Sequence, residues 1–296
     1  MIRGFLLAFL LLWTGSATAE ERAPAPIHPA LYAVRDADST IYLFGTIHVR
    51  PHGAAWSNPA IEAALASASD VWTEIEISPE ADAQAQGVAR ALATAPPDRP
   101  LSSHLTPAEQ LRLAALEARL GIAPAVLERT QPWFASVVLS MAPVTQAGYD
   151  PESAVDRSVD AAADAAHKHM RAFETTEQQL RFLAGLSEDA QRQMLLDAID
   201  EAEDAPTELR EMSTAWERGD EAALQRLVLA DVIGKYPELY DVLFKRRNAA
   251  WVETLSQEMA GSGVEFVAVG AGHLIGREGL VAQLRARGFR VERVRD

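Results

Sequence analysis

The chain has 296 residues, 48% of them hydrophobic, with 27 basic against 42 acidic residues, a formal net charge of −15 and no cysteine. That apolar content is enough for one large core or two small ones, and the acidic balance repels a phosphate backbone, so no nucleic-acid partner is expected. Without cysteine there are no disulfides, thiolate metal ligands or thiol nucleophiles, so any metal would take His, Asp or Glu.

The first residues, Met1-Ile2-Arg3, are followed by an almost wholly apolar stretch at 4–13 and the small residues Gly15-Ser16-Ala17-Thr18-Ala19. This is the pattern of a secretory signal peptide over residues 1–19, cut after Ala19, which places the mature chain in the periplasm or outside the cell. The apolar stretch is shorter than the roughly 20 residues that span a bilayer, and no later stretch is long enough either, so the mature chain is expected to have no transmembrane span. Residues 20–29 read as a polar, proline-containing, mobile spacer, leaving 30–296 as a single domain.

Strands are expected at 31–35 and 40–44, joined as a β-hairpin by Asp36-Ala37-Asp38-Ser39. The second runs into Gly45-Thr46-Ile47-His48. Glycine permits the sharp turn with which a strand leaves its sheet, and a histidine three residues later stands at the carboxyl edge, where open α/β sheets place ligands. His52 lies four residues beyond His48, but Pro51 argues against a helix there, and His52 is discounted as a ligand. Asn58-Pro59 starts a helix reaching about residue 67. Residues 71–77 alternate as a strand, with Trp72, Glu74 and Glu76 on one face. Two glutamates there are costly to bury unless paired or bound to a cation, and the alternative is an exposed edge strand.

Residues 78–94 are predicted helical. Thr106-Pro107-Ala108-Glu109 is a capping box whose helix ends at Gly121, and 132–141 is an apolar, buried helix. A further helix starts at Asp150-Pro151-Glu152 and ends near His167-Lys168-His169, and 170–173 is a short strand leading to Glu174 and a helix from Thr175 or Thr176. Ser187, Pro206 and Asp220 open more helices, with Gly219 and Gly234 as stops. The last long helix, about 237–260, carries Lys245-Arg246-Arg247-Asn248 and Trp251, and Arg247 can stack on Trp251. Then come a strand at 264–269, the turn Gly270-Ala271-Gly272-His273, a helix near 279–287 and a strand at 289–294. The expected fold is α/β: a mixed, mostly parallel sheet built from both chain ends, with a large helical insert of about 106–260.

A single strand-end histidine is more often a hydrogen-bonded structural residue than a ligand. Here the strand–Gly-x-x-His unit occurs twice, which points to one shared site. His48 and His273 with a glutamate of the 71–77 strand, Glu74 or Glu76, which the strand pattern does not separate, resemble a two-histidine, one-carboxylate set suited to Mn, Fe, Co or Zn. Such an ion would lower the pKa of bound water toward about 7 and polarise a carbonyl. Without metal, a histidine held by a carboxylate can act as a general base.

Gly45-Thr46-Ile47-His48, Thr73-Glu74-Ile75-Glu76-Ile77, Arg246-Arg247-Asn248-Ala249-Ala250-Trp251 and Gly270-Ala271-Gly272-His273-Leu274, in that order, resemble the TraB/GumN family, which includes the Tiki-type metalloproteases. The resemblance spans the mature chain, including Gly148–Glu152 and 173–180. It implies a fold related to erythromycin esterase and ChaN-type haem-binding proteins. It carries the family's histidines to His48 and His273 and its acidic strand residue to Glu74, with Glu76 as a second acidic position. The family's Arg-Asn pair falls on Arg247 and Asn248, and Gly45 and Gly270 are supporting residues. His169-Met170-Arg171 departs from the Lys-Pro-apolar strand usual in relatives and puts the edge of the sheet in question.

The implied activity is metal-dependent hydrolysis of peptides, using Mn, Co or Zn, on a peptide or small-molecule substrate the sequence does not identify. The alternative is a non-catalytic extracytoplasmic binding protein for haem or a polysaccharide-related ligand. Arg247 is expected to steady Glu74 or to bind a substrate carboxylate or oxyanion. Arg247→Ala should then leave folding largely intact and cost about tenfold or more in turnover, the scale of roughly 1.4 kcal/mol, while Arg246→Ala does little.

Overall fold

The structure is a computed structural model that describes residues 26–295; the segment read as a signal peptide, and residues 20–25 of the spacer, lie outside the described residues. In the remainder of that spacer, Ile27 and Pro29 are buried while Pro26 and His28 are exposed. The His28 N–H donates to the Glu217 carbonyl at 2.6 Å. The apolar Ile27 side chain gains more from the core than a mobile linker would give it.

The strands are β1 (Leu31–Arg35), β2 (Ser39–Thr46), β3 (Arg50–Pro51), β4 (Asp70–Ile75), β5 (Tyr149–Asp150), β6 (His169–Glu174), β7 (Gly263–Gly270) and β8 (Arg290–Arg293). Six of them form one sheet in the order β6-β4-β7-β2-β1-β8. The expected hairpin is present, with β1 and β2 antiparallel and Arg35 opposite Thr40. The pairs β2–β7, β4–β7 and β4–β6 are all parallel, and β8 is antiparallel to β1. β1 therefore alone runs against the rest. The C-terminal β7 lies between β2 and β4 from the N-terminal part, and the helical insert supplies edge strand β6. His169-Met170-Arg171 does pair there, opposite Asp70, Val71 and Trp72.

The central strands are apolar on both faces, as a parallel sheet covered by helices requires. Phe266, Val267, Ala268 and Val269 are all fully buried. The insert and the turn Leu101–His104 before it add a second cluster, in which Leu101, Leu113, Leu116, Leu127, Leu139 and Leu195 meet away from the sheet. Helix starts follow the sequence closely. The Asn58 side chain accepts the Ile61 N–H at 3.0 Å, and Thr106 and Glu109 close a capping box.

Three local expectations are corrected. Asp150-Pro151-Glu152 opens only a 3₁₀ turn, Pro151–Ser153, and the α-helix proper is Val155–Ala165. That helix stops before His167, which turns the chain at φ 52°, so His169 begins a strand and does not end a helix. Gly234 lies inside the helix Asp231–Lys235, which ends one residue later than expected.

The long helix near the C-terminus is also not uniform. Pro237–Tyr240 leads into a π-helical stretch, Asp241–Lys245, and only then into the α-helix Arg246–Glu258. A second π stretch, Gln225–Ala230, packs with the first around the Gly270–His273 turn. A Cβ on Gly272 would lie 2.8 Å from the Phe244 ring and 3.1 Å from Val228. π-Helical turns recur at functional sites because the wider turn re-aims side chains.

Candidate active site

Four neighbouring parallel strands, β6, β4, β7 and β2, end on one side of the sheet, and each delivers a polar side chain there. β6 ends in Glu174, β4 carries Glu74, and the chain leaving β7 and β2 brings His273 and His48. Pairing between β4 and β7 stops at Trp72↔Val267, so the strands part and the Glu74 carboxylate turns into the gap. There its Oε1 accepts the Gly270 N–H at 2.8 Å. The His48 and His273 Nε2 atoms face that same oxygen at 3.9 and 3.7 Å.

Arg247 comes in from the helix Arg246–Glu258. It is 2% exposed, so it is no part of a solvated basic face, whereas Arg246 and Lys245 are exposed and pair with Asp241. Its Nη2 donates to Glu74 Oε2 at 2.6 Å, its Nε donates to Glu174 Oε1 at 2.9 Å, and its Nη1 stands 3.2 Å from His273 Nε2. The guanidinium lies over the Trp251 ring at 4.6 Å, as the i,i+4 spacing suggested. Gln179 bridges the two carboxylates, donating to Glu74 Oε2 at 3.1 Å and Glu174 Oε2 at 3.3 Å. Trp251 Nε1–H also donates to Glu174 at 3.1 Å.

The second histidine is held in one tautomer. The Asn248 amide donates from Nδ2 to the Glu278 carbonyl at 2.7 Å, so its Oδ1 is turned toward His273 Nδ1, 2.6 Å away. His273 Nδ1 therefore carries the proton and Nε2 the lone pair. Burial, opposed by Glu74 and reinforced by the cationic Arg247 and His48, lowers the His273 pKa to about 3, so the ring is neutral. For His48, burial acts to lower the pKa, but Asp156 and then Glu74 outweigh it and raise the value to about 9. Burial would raise the Glu74 pKa, yet Arg247, His48 and the Gly270 N–H hold its carboxylate well below the usual range.

The glycines of the two histidine units are explained by space. Neither Gly45 nor Gly270 has a positive φ, so the expected need for an unusual turn is not the reason. A Cβ on Gly270 would lie 3.0 Å from His48 Nε2 and 3.2 Å from Glu74 Oε1, and one on Gly45 would lie 3.1 Å from Ala271. One glycine leaves room for His48 and Glu74, and the other lets the two units pack together. Gly270→Ala is expected to fold but to push His48 and Glu74 apart, lowering turnover by roughly tenfold or more, the scale of a sub-ångström misplacement. Near-wild-type rates with an intact circular dichroism spectrum would refute that account.

His48, Glu74, Arg247, Asn248, Gly270 and His273 thus meet at one point. Glu76 does not. β4 ends at Ile75, and the exposed Glu76 side chain accepts from the Ser78 hydroxyl at 2.9 Å. His52 is exposed on its loop. Sequence reasoning left the role of Glu174 open and did not single out Gln179 or Asp156 for the site. Glu174 sits just before a predicted helix start, a signal that reads first as capping. No curated protein and no solved structure matches the chain. The sequence profile of the TraB/PrgY/gumN family matches residues 30–293, nearly all of the chain and every residue of this cluster, and the chain belongs to that family.

Proposed function

We propose that the protein is an exported, metal-dependent hydrolase of peptides, with His48, Glu74 and His273 holding a divalent ion such as Mn, Co or Zn. The observation that carries this reading is the convergence of two imidazole Nε2 atoms on one oxygen of an ionised glutamate. The donor chemistry fits. Two imidazoles and a carboxylate, with His48 giving up its proton to the ion, form a set with positions left open for water and substrate, and the Asn248–His273 hydrogen bond is the kind of support that metal-binding histidines have.

Among the described residues no group of three or more His, Asp or Glu side chains is placed to hold a metal ion as it stands. The 3.7 and 3.9 Å separations exceed the roughly 3.3 Å edges that metal–ligand bonds of about 2 Å produce in a tetrahedral site. Arg247 Nη1, at 3.2 Å from His273 Nε2, is the group that ion binding would displace from that lone pair.

When bound, the ion would supply a hydroxide-like water near neutral pH and polarise the scissile carbonyl. The chain's own residues do the rest. Arg247 and Gln179 hold Glu74 in place, and Gly270 keeps the centre clear. Substrate enters on the His48 side, where the side chain is 14% exposed against 5% for His273. Arg247 is too deeply buried to meet a substrate carboxylate, which leaves steadying Glu74 as its part. A haem reading has less support, because His273 is enclosed and already engaged on both ring nitrogens.

The test is metal analysis of the purified mature protein with Mn, Co or Zn, followed by peptide-library cleavage. One ion per chain and chelator-sensitive cleavage are expected, both lost in His273→Ala. Absence of ion binding, or cleavage that ignores chelators, would overturn the reading.

A further inference from the structure

On the open side of the site, His48 has a partner that no motif assigns. Its Nδ1 lies 3.2 Å from Asp156 Oδ1. We infer that Asp156 is the positioning residue of His48, holding the ring by a protonated Nδ1 so that Nε2 faces Glu74. This rests on the metal-site reading above and extends it.

The chain brings Asp156 to His48 by several tethers. The Val155 N–H, at the start of the helix Val155–Ala165, donates to the Ile47 carbonyl at 3.0 Å, one residue before His48. Just beyond His48, β3 pairs with β5, with Arg50 opposite Asp150 and Pro51 opposite Tyr149. The segment from Tyr149 to Asp156 is therefore clamped along both sides of the histidine. Asp156 lies in the first turn of its helix, where the free N–H groups favour a carboxylate. The adjacent cation is committed elsewhere, since Arg157 pairs with Asp82 at 3.2 Å and Glu152 at 3.9 Å. The carboxylate remains available to the imidazole.

An ionised carboxylate can only accept, so the ring nitrogen facing it must carry the proton. In a neutral imidazole that leaves the lone pair on Nε2, the nitrogen aimed at Glu74. Asp156 thus does for His48 what Asn248 does for His273. The two supports differ in charge. The anionic Asp156 raises the basicity of its ring and suits the more open histidine, whereas the neutral amide serves the enclosed one.

Two readouts separate positioning from mere structural support. The first is long-range ¹H–¹⁵N spectroscopy of metal-free protein above the titration of the ring, with the His48 resonances assigned by comparison with His48→Gln. Wild type and Asp156→Asn, whose amide oxygen still accepts, are expected to show the Nδ1–H tautomer. Asp156→Ala is expected to shift toward Nε2–H. The second is zinc affinity by chelator competition, expected to fall about 10–100-fold in Asp156→Ala and less in Asp156→Asn.

An Asp156→Ala protein that keeps the Nδ1–H tautomer and the wild-type affinity would overturn the inference. If wild type binds none of Mn, Co and Zn, the hydrolase reading falls, and the tautomer measurement alone decides the role of Asp156.

Discussion

Arg247→Ala should cost the protein about 3–5 kcal/mol of stability, the range found when one partner of a buried ion pair is removed and the other is left uncompensated. The sequence alone suggested a substitution at the site that lowers turnover but spares the fold. Geometry reverses that expectation. The guanidinium is 2% exposed and lies between two carboxylates, taking Glu74 at 2.6 Å and Glu174 at 2.9 Å. Without it, like charges face each other in a space where water does not screen them, and the hydrogen bond to the Leu243 carbonyl is lost as well. Arg246→Ala, by contrast, removes a mostly exposed side chain paired with Asp241 and should change stability by less than about 0.5 kcal/mol. Arg247→Lys should fall between them, keeping the charge but losing the planar fork that reaches both carboxylates. Urea unfolding of the three variants checks this. An Arg247→Ala midpoint equal to that of wild type would mean that the two glutamates do not depend on the cation.

The reversal shows where sequence reading stops. Lys245-Arg246-Arg247 reads as one basic patch, and a regular 3.6-residue phase from Pro237 cannot single out the buried member. The π-helical stretch Asp241–Lys245 shifts that phase just before Arg247, and no residue pattern announces it. The two strand–Gly-x-x-His units were legible because each follows an apolar run, and a parallel sheet places such ends together. The hairpin and the caps at Asn58 and Thr106 were legible because their chemistry is local. The glycines were recognised for the wrong reason, since close approach of distant groups leaves no local mark. Asp156 and Gln179 were hidden in another way. A polar residue in the first turn of a helix is common for reasons of capping and dipole, and only the fold shows that His48 and Glu74 stand in front of them.

Under the proposed hydrolysis, Glu74→Gln should lower turnover of a cleaved peptide by about 10²–10⁴-fold, the scale of losing a charged group at a reacting centre. The substitution keeps size and shape, so its effect is electrostatic. Each oxygen of Glu74 faces hydrogen-bond donors: Oε1 takes the Gly270 N–H, and Oε2 takes both Arg247 and Gln179. In either orientation the new amide NH₂ must point at one of these donors, so a flip cannot relieve the conflict. One buried donor is left unpaired, which should cost about 1–3 kcal/mol of stability. The neutral amide also removes the anion that the two imidazoles face, and metal binding should fall with the activity. Glu74→Asp separates charge from position. It keeps the anion but draws it back by one methylene, so it should retain metal binding better than Glu74→Gln while still losing turnover by roughly 10²-fold. Turnover, bound metal and circular dichroism measured together distinguish these outcomes. A folded Glu74→Gln protein that cleaves within tenfold of wild type would remove Glu74 from the chemistry and leave it as a partner of Arg247 alone.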